Sequence, residues 1–129
     1  MKCRLTIREF SIFHVSFKIV RFTRNAFGQA KTSMSNSFSS LNLPDFIIKT
    51  CNQVGLKSPT PVQAATIPQI LAGRNIVALS PTGSGKTAAF ALPIISELSR
   101  DPFGIFCIVL SPTRELAEQI AQQFTLFGN

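Results

Sequence analysis

Acidic residues are scarce in this chain: six Asp and Glu stand against 13 Lys and Arg in 129 residues, for a formal net charge of +7. The excess is uneven. Residues 1–33 hold seven basic residues and one acid, a net +6, whereas residues 34–129 carry six basic and five acidic residues, a net +1. The body of the chain therefore has no charge excess that would mark a large basic nucleic-acid patch. Cysteine is also rare. Cys3, Cys51 and Cys107 are odd in number and widely spaced, which excludes a metal-ligand spacing pattern and fits a reducing compartment. Cys107 lies in an apolar run and reads as a small core residue. No apolar run reaches the roughly 18 residues of a transmembrane helix. The length fits one domain at most.

Residues 1–33 differ from the rest. Arg4, Arg8, Arg21 and Arg24 are scattered among Phe10, Phe13, Phe17, Phe22 and Phe27. Phe13, Val15, Phe17 and Ile19 alternate with a strand-like period of two. Lys18 and Arg21 interrupt the apolar stretch and argue against a secretory signal. Three readings stay open: a leader ahead of a start at Met34, a mitochondrial presequence, which such Arg-rich, acid-poor composition suits, or a functional arm. The expected division is a basic, disordered leader over residues 1–37 and a folded part over residues 38–129.

Residues 33–43 are polar and Ser-rich and read as a linker. Pro44 and Asp45 open a helix whose Phe46, Ile47, Cys51 and Val54 recur at helical spacing, and Gly55 ends it. Thr60-Pro61 starts a second helix, with proline at the first turn, where its missing N–H costs least. Val62, Ala65, Ile70 and Leu71 supply its apolar positions and Gly73 stops it. Asn75-Ile76-Val77-Ala78-Leu79 reads as a short buried strand. A loop and a helix to about Leu98 follow, then a turn at Asp101-Pro102-Phe103-Gly104. The apolar run Ile105–Leu110 suits a parallel strand covered on both faces. A helix from about Thr113 ends near Gly128. The order predicts an α/β fold with at least two parallel strands joined by a right-handed crossover.

The loop between the first strand and its helix, Ser80-Pro81-Thr82-Gly83-Ser84-Gly85-Lys86-Thr87, carries the sharpest chemistry. Strand, glycine-rich turn and helix N-terminus in succession make a phosphate-binding loop. Gly83 and Gly85 let the backbone turn tightly and aim N–H groups at phosphate oxygens. The helix N-terminus adds unpaired N–H groups and partial positive charge. Lys86 would reach the β/γ-phosphates and the Thr87 hydroxyl would hold Mg²⁺. The strict pattern has glycine where this chain has Ser80. The bland reading is a Gly/Ser-rich surface turn beside a chance lysine.

Two further blocks stand out. A glutamine amide presents a donor beside an acceptor and can satisfy the N6/N7 edge of adenine. Gln63, 17 residues after Phe46, could do so while the aromatic ring covers the base. Equally, Phe46 could be a core residue of an amphipathic helix and Gln63 a helix-surface amide. In Pro112-Thr113-Arg114-Glu115-Leu116-Ala117, a helix N-terminus, a hydroxyl and a guanidinium converge at the C-terminal edge of the predicted sheet, where open α/β sheets bind ligands. Arginines and helix N-termini bind nucleic-acid phosphates. A helix cap with Arg114 and Glu118 paired at i,i+4 would account for the same residues.

Together the three blocks resemble the DEAD-box RNA helicase family, over roughly residues 38–128, about 70% of the chain. The stretch from Gly55 to Gln63 with Phe46 is similar to the Q motif, Ser80 to Thr87 to motif I, and Pro112 to Ala117 to motif Ia. The wording of residues 101–107 is similar to the nucleolar subgroup serving ribosome biogenesis. The resemblance implies part of a RecA-like P-loop domain and two ligands, ATP and Mg²⁺. It assigns ATP to Phe46, Gln63, Ser80, Thr82, Gly83, Ser84, Gly85, Lys86 and Thr87, and RNA, such as pre-rRNA, to Pro112, Thr113, Arg114 and Glu115. It also implies helicase-associated proteins as partners and the nucleolus as location, with the mitochondrion as the alternative if residues 1–33 are a presequence.

The sequence departs from the family in two ways. The family usually has alanine at the position of Ser80. No Asp-Glu-Ala-Asp block, Ser-Ala-Thr motif or second RecA-like domain with its arginine fingers follows motif Ia. An arginine finger alone is worth ~10³–10⁵ in rate, so the chain as given is expected to have no helicase activity and little or no ATPase. The alternatives are a non-catalytic isoform that binds nucleotide or helicase partners, and an incomplete gene product.

Overall fold

The computed structural model describes residues 37–128; the expectations for residues 1–36 fall outside the described residues. Helix α1 (Asp45–Gln53) begins after an extended Pro44, with the Asp45 carboxylate in its first turn, where the helix dipole favours it. It ends in a paired αL cap: Gly55, at φ +84°, donates to the Asn52 carbonyl at 3.2 Å, and Leu56 donates to the Cys51 carbonyl at 2.8 Å. Helix α2 (Pro61–Leu71) closes the same way around Gly73 and Arg74. Helix α3 (Lys86–Leu98) follows the glycine-rich loop, and α4 (Arg114–Gly128) ends the described chain.

Helix α3 is the centre of the packing. Its Ala88, Ala91, Leu92 and Ile95 are buried in one cluster with Ile47 and Cys51 of α1, Ile67 of α2 and Phe127 of α4. Alanines at 88, 89 and 91 give α3 a low surface that lets α2 approach closely. The rings of Phe90 and Phe124 meet with centroids 6.0 Å apart and tie α3 to α4.

Four expectations need correction. The linker assigned to residues 33–43 is folded in its second half. A 3₁₀ turn, Phe38–Leu41, is capped by the Ser37 hydroxyl and sends Phe38, Leu41 and Leu43 into the core. Apolar burial there outweighs the polar composition. Helix α2 is rotated from its expected face: Gln63, Thr66 and Ile67 are buried, while Ala65 is exposed and Val62 half-buried. Val62, Ala65 and Gln69 instead border a groove of about 450 Å³ against residues 76–80. Residues 75–79 and 105–110 form no strand ladder among the described residues, and no backbone hydrogen bond joins them to anything described. A ladder needs a neighbour at about 4.8 Å, and two strands joined by a crossover helix need not be neighbours in their sheet. Leu79 and Ile105 are consequently 94% and 86% exposed. Cys107, expected in the core, is exposed for the same reason.

Candidate nucleotide-binding site

Between Ser80 and Lys86 the chain turns through two αL glycines, Gly83 at φ +76° and Gly85 at φ +83°, the latter capping α3. The backbone N–H groups of Thr82, Gly83, Gly85, Lys86, Thr87 and Ala88 have no hydrogen-bond acceptor among the described residues; Ser84 alone in the loop donates, to the Pro81 carbonyl at 3.4 Å. A row of unpaired N–H groups at the positive end of a helix is a cradle for an anion with several oxygens. The Ser84 hydroxyl is buried here without a partner. The Thr87 hydroxyl is likewise unpaired and only partly buried, as a ligand to a phosphate-bound cation must be. These donors fit a nucleotide triphosphate, with Mg²⁺ at Thr87.

Lys86 folds back over the loop. Its Nζ donates to the carbonyls of Ser80 and Pro81, 2.6 Å each. The ammonium thus caps the acceptor side of the turn and leaves the N–H side open. Thr82 and Gly83 stand exposed at the tip.

The structure brings Gln63 to this loop. Its Nε2 donates to the Gly85 carbonyl at 3.1 Å, so the α2 N-terminus is tied to the α3 N-cap across 22 residues. Gln63 is 1% exposed. Its Oε1 accepts from the Thr60 N–H at 3.0 Å while the Thr60 hydroxyl accepts from the Gln63 N–H at 3.4 Å, a complete capping box. Thr60 is a residue the functional reading omitted, although Thr-x-x-Gln ahead of a helix is a local signature of such a box. Phe46 sits on α1, 42% exposed, with its ring available to a flat ligand.

Pro112, Thr113, Arg114 and Glu115 are all exposed at the start of α4. The Thr113 hydroxyl accepts from the Leu116 N–H at 3.3 Å as an N-cap, and Arg114 Nε pairs with Glu118 at 3.0 Å. Both groups of that pair are solvent-facing, so the guanidinium is held loosely and can exchange partners.

The sequence pattern described as DEAD/DEAH box helicase matches residues 60–129, more than half of the chain. The chain belongs to that family. It is 58% identical over 91 residues to the human Probable ATP-dependent RNA helicase DDX49, covering 70% of this chain and 19% of that protein. It is 50% identical over 98 residues to DEAD-box ATP-dependent RNA helicase 36 of Arabidopsis thaliana, covering 76% and 20%. To the ATP-dependent rRNA helicase RRP3 of Ajellomyces capsulatus it is 46% identical over 101 residues, 78% and 21%. The chain thus spans about a fifth of the length of these relatives. Among solved structures, a DEAD box protein from Methanococcus jannaschii superposes with TM-score 0.69 at 42% identity, covering 74% of this chain and 26% of that one. The RNA helicase Prp28 of Chaetomium thermophilum bound to ADP gives 0.67 at 36% identity, 72% and 24%. The fold class is therefore α/β, part of the RecA-like domain of this family.

Proposed function

We propose that this chain is the ATP-binding, RNA-interacting portion of a DEAD-box ATP-dependent RNA helicase serving rRNA processing and ribosome biogenesis. The observation that carries the reading is the open cradle of unpaired N–H groups of Thr82, Gly83, Gly85, Lys86, Thr87 and Ala88 beside the Lys86 ammonium. In the proposed complex Thr82, Gly83, Ser84, Gly85 and Lys86 hold the triphosphate, with Ser80 at the base of the loop, and Thr87 holds Mg²⁺ through its hydroxyl. Mg²⁺, when bound, neutralises phosphate charge. Gln63 and Phe46 select the adenine. Pro112, Thr113, Arg114 and Glu115 face the RNA backbone, where Thr113 and the α4 N-terminus offer donors to phosphate. Similarity to relatives named rRNA helicase supports an rRNA as the substrate; pre-rRNA as that RNA, the nucleolus as the location and helicase-associated proteins as partners are part of the same proposal.

The test is a titration of the 129-residue chain with a fluorescent N-methylanthraniloyl ATP and Mg²⁺. Saturable binding that weakens about tenfold or more in Lys86→Ala is expected, since each 1.4 kcal/mol is a factor of ten and a charge-assisted hydrogen bond is worth about 1.5–3 kcal/mol. Equal binding by the two chains would overturn the assignment.

A further inference from the structure

Four of the eight prolines in the chain follow a serine or threonine: Ser58-Pro59, Thr60-Pro61, Ser80-Pro81 and Ser111-Pro112. A hydroxyl directly before proline is the recognition unit of proline-directed protein kinases, whose cleft seats the ring after the target residue and needs no N–H from it. Some of these kinases also read a basic side chain three residues after the target. Of the four pairs only Ser111 has one, Arg114. By sequence, then, Ser111 ranks first and the other three rank alike.

The fold reverses that order. The Ser111 hydroxyl is buried with no hydrogen-bond partner among the described residues, out of reach of a kinase. The Thr60 hydroxyl accepts from the Gln63 N–H at 3.4 Å while the Thr60 N–H donates to Gln63 Oε1 at 3.0 Å, so a whole capping box must break before residue 60 can enter a cleft. Ser80 is half-buried, and its carbonyl and that of Pro81 both hold the Lys86 ammonium at 2.6 Å. Ser58 carries none of these restraints. It is exposed on the connection from α1 to α2, where residues 56–60 lie in neither helix nor strand. Among the described residues its hydroxyl, its N–H and its carbonyl have no hydrogen-bond partner. The proline that follows disfavours helical backbone at Ser58 and biases it towards the extended form a kinase cleft accepts.

We propose that Ser58 is a phosphorylation site for a proline-directed serine/threonine kinase, and that the folded chain is modified there and not at Thr60, Ser80 or Ser111. Ser58 Oγ bonds to the γ-phosphorus of the ATP held by the kinase. The bond from that phosphorus to its bridging oxygen breaks, ADP leaves, and the hydroxyl proton passes to the base of the kinase. The ATP consumed is the kinase's, so the site is independent of the nucleotide proposed for the cradle. The phosphate brings about −1.5 to −2 charges at pH 7. It stands next in sequence to Lys57, an exposed cation with no ion pair among the described residues, and it reverses the sign of the net +1 on residues 34–129.

The folded 129-residue chain is incubated with ATP and a mitogen-activated protein kinase, which reads the proline alone, and in parallel with a cyclin-dependent kinase, which also reads the basic residue. Products are analysed by intact mass and peptide mapping. The first kinase is expected to add one phosphate, on Ser58, and the second to leave Ser111 unmodified despite Arg114. Ser58→Ala should abolish the modification; the serine has no bond to lose, so the melting temperature of that variant should match the native chain. Pro59→Ala keeps the hydroxyl exposed but empties the kinase pocket for the ring, and should lower kcat/KM by about tenfold or more. Phosphate on Ser111, Thr60 or Ser80 of the native chain would show that accessibility does not choose the site. That result, no phosphate on Ser58, or a Pro59→Ala chain modified at the native rate overturns the proposal.

Discussion

Gln63 Nε2 donates to the carbonyl of Gly85 at 3.1 Å, and the same nitrogen fills the space that a side chain at residue 85 would need. One side chain thus joins the N-cap of α3 to the first turn of α2, and the glycine is required twice over, for its φ of +83° and for its missing Cβ. The two requirements can be separated by a double-mutant cycle.

Gly85→Ala is expected to cost about 1–2 kcal/mol from the left-handed backbone alone, plus the displacement of Gln63. In a Gln63→Ala background the second part disappears. The cost of Gly85→Ala should then fall by about 1 kcal/mol, within the range seen for residues in contact. Urea melts of the four chains check this. An equal cost in both backgrounds would show that the collision is relieved by a shift elsewhere.

Lys86 bridges the carbonyls of Ser80 and Pro81 at 2.6 Å without any nucleotide. Lys86→Met keeps the methylene stem and deletes both bonds. Stability should fall by about 1 kcal/mol, since the ammonium is only partly buried and water replaces much of what is lost. Amide exchange across residues 81–85 should speed up while α4 is unchanged. Faster exchange in α4 as well would mean that the lysine supports the whole fold and not the loop alone.

What was legible in the sequence was local. Gly55, Gly73 and Pro61 mark helix ends because their backbone preferences act at the residue itself, and α1 ends, and α2 begins and ends, close to those marks. The glycine-rich turn ahead of α3 was legible for the same reason. The Thr60–Gln63 capping box is equally local. The tie from Gln63 to Gly85 spans 22 residues and depends on how α2 packs on α3, which no window of the sequence contains. The rotation of α2 follows from the same packing: it buries an amide and a threonine because each finds a partner, Gly85 for Gln63 and the Val62 carbonyl for Thr66. The runs 75–79 and 105–110 were legible as apolar and extended, but their pairing is a property of their neighbours in space, as is the exposure of Cys107.

Burial pushes the Cys51 thiol up from its ordinary 9.0 to about 11, against a smaller opposing effect of a backbone hydrogen bond. The folded chain therefore keeps this proton where the unfolded chain has released it. Between pH 9 and 11 the unfolded state binds fewer protons, so stability falls as pH rises, by up to about 2–3 kcal/mol for two pKa units, and the effect is absent below about pH 8. The chain contains no tyrosine, one of the acids that titrate near pH 10, and the comparison with a chain lacking the thiol removes the contribution common to both. Urea melts from pH 7 to 10.5 should show a steeper decline in the native chain than in Cys51→Ala. Parallel declines would place the thiol in contact with water.

The Ser96 hydroxyl lies in α3 at 1% exposure with no hydrogen-bond partner among the described residues. A buried donor without an acceptor costs what water would have given it, and replacing it with an apolar group of similar size removes the cost. Ser96→Ala, which also favours the helix, should leave stability unchanged or raise it by up to about 1 kcal/mol. The Ser84 hydroxyl is the useful contrast, because it is unpaired in the glycine-rich loop proposed to bind phosphate. Ser84→Ala should match Ser96→Ala in the empty chain but lower affinity for the ATP analogue, whereas Ser96→Ala should leave that affinity unchanged. Thermal melts with and without the analogue separate the two. If Ser96→Ala lost more than 1 kcal/mol, its hydroxyl would have to be bonded in solution; if Ser84→Ala bound the analogue at full strength, the cradle would have to be built from backbone N–H groups and Lys86 alone.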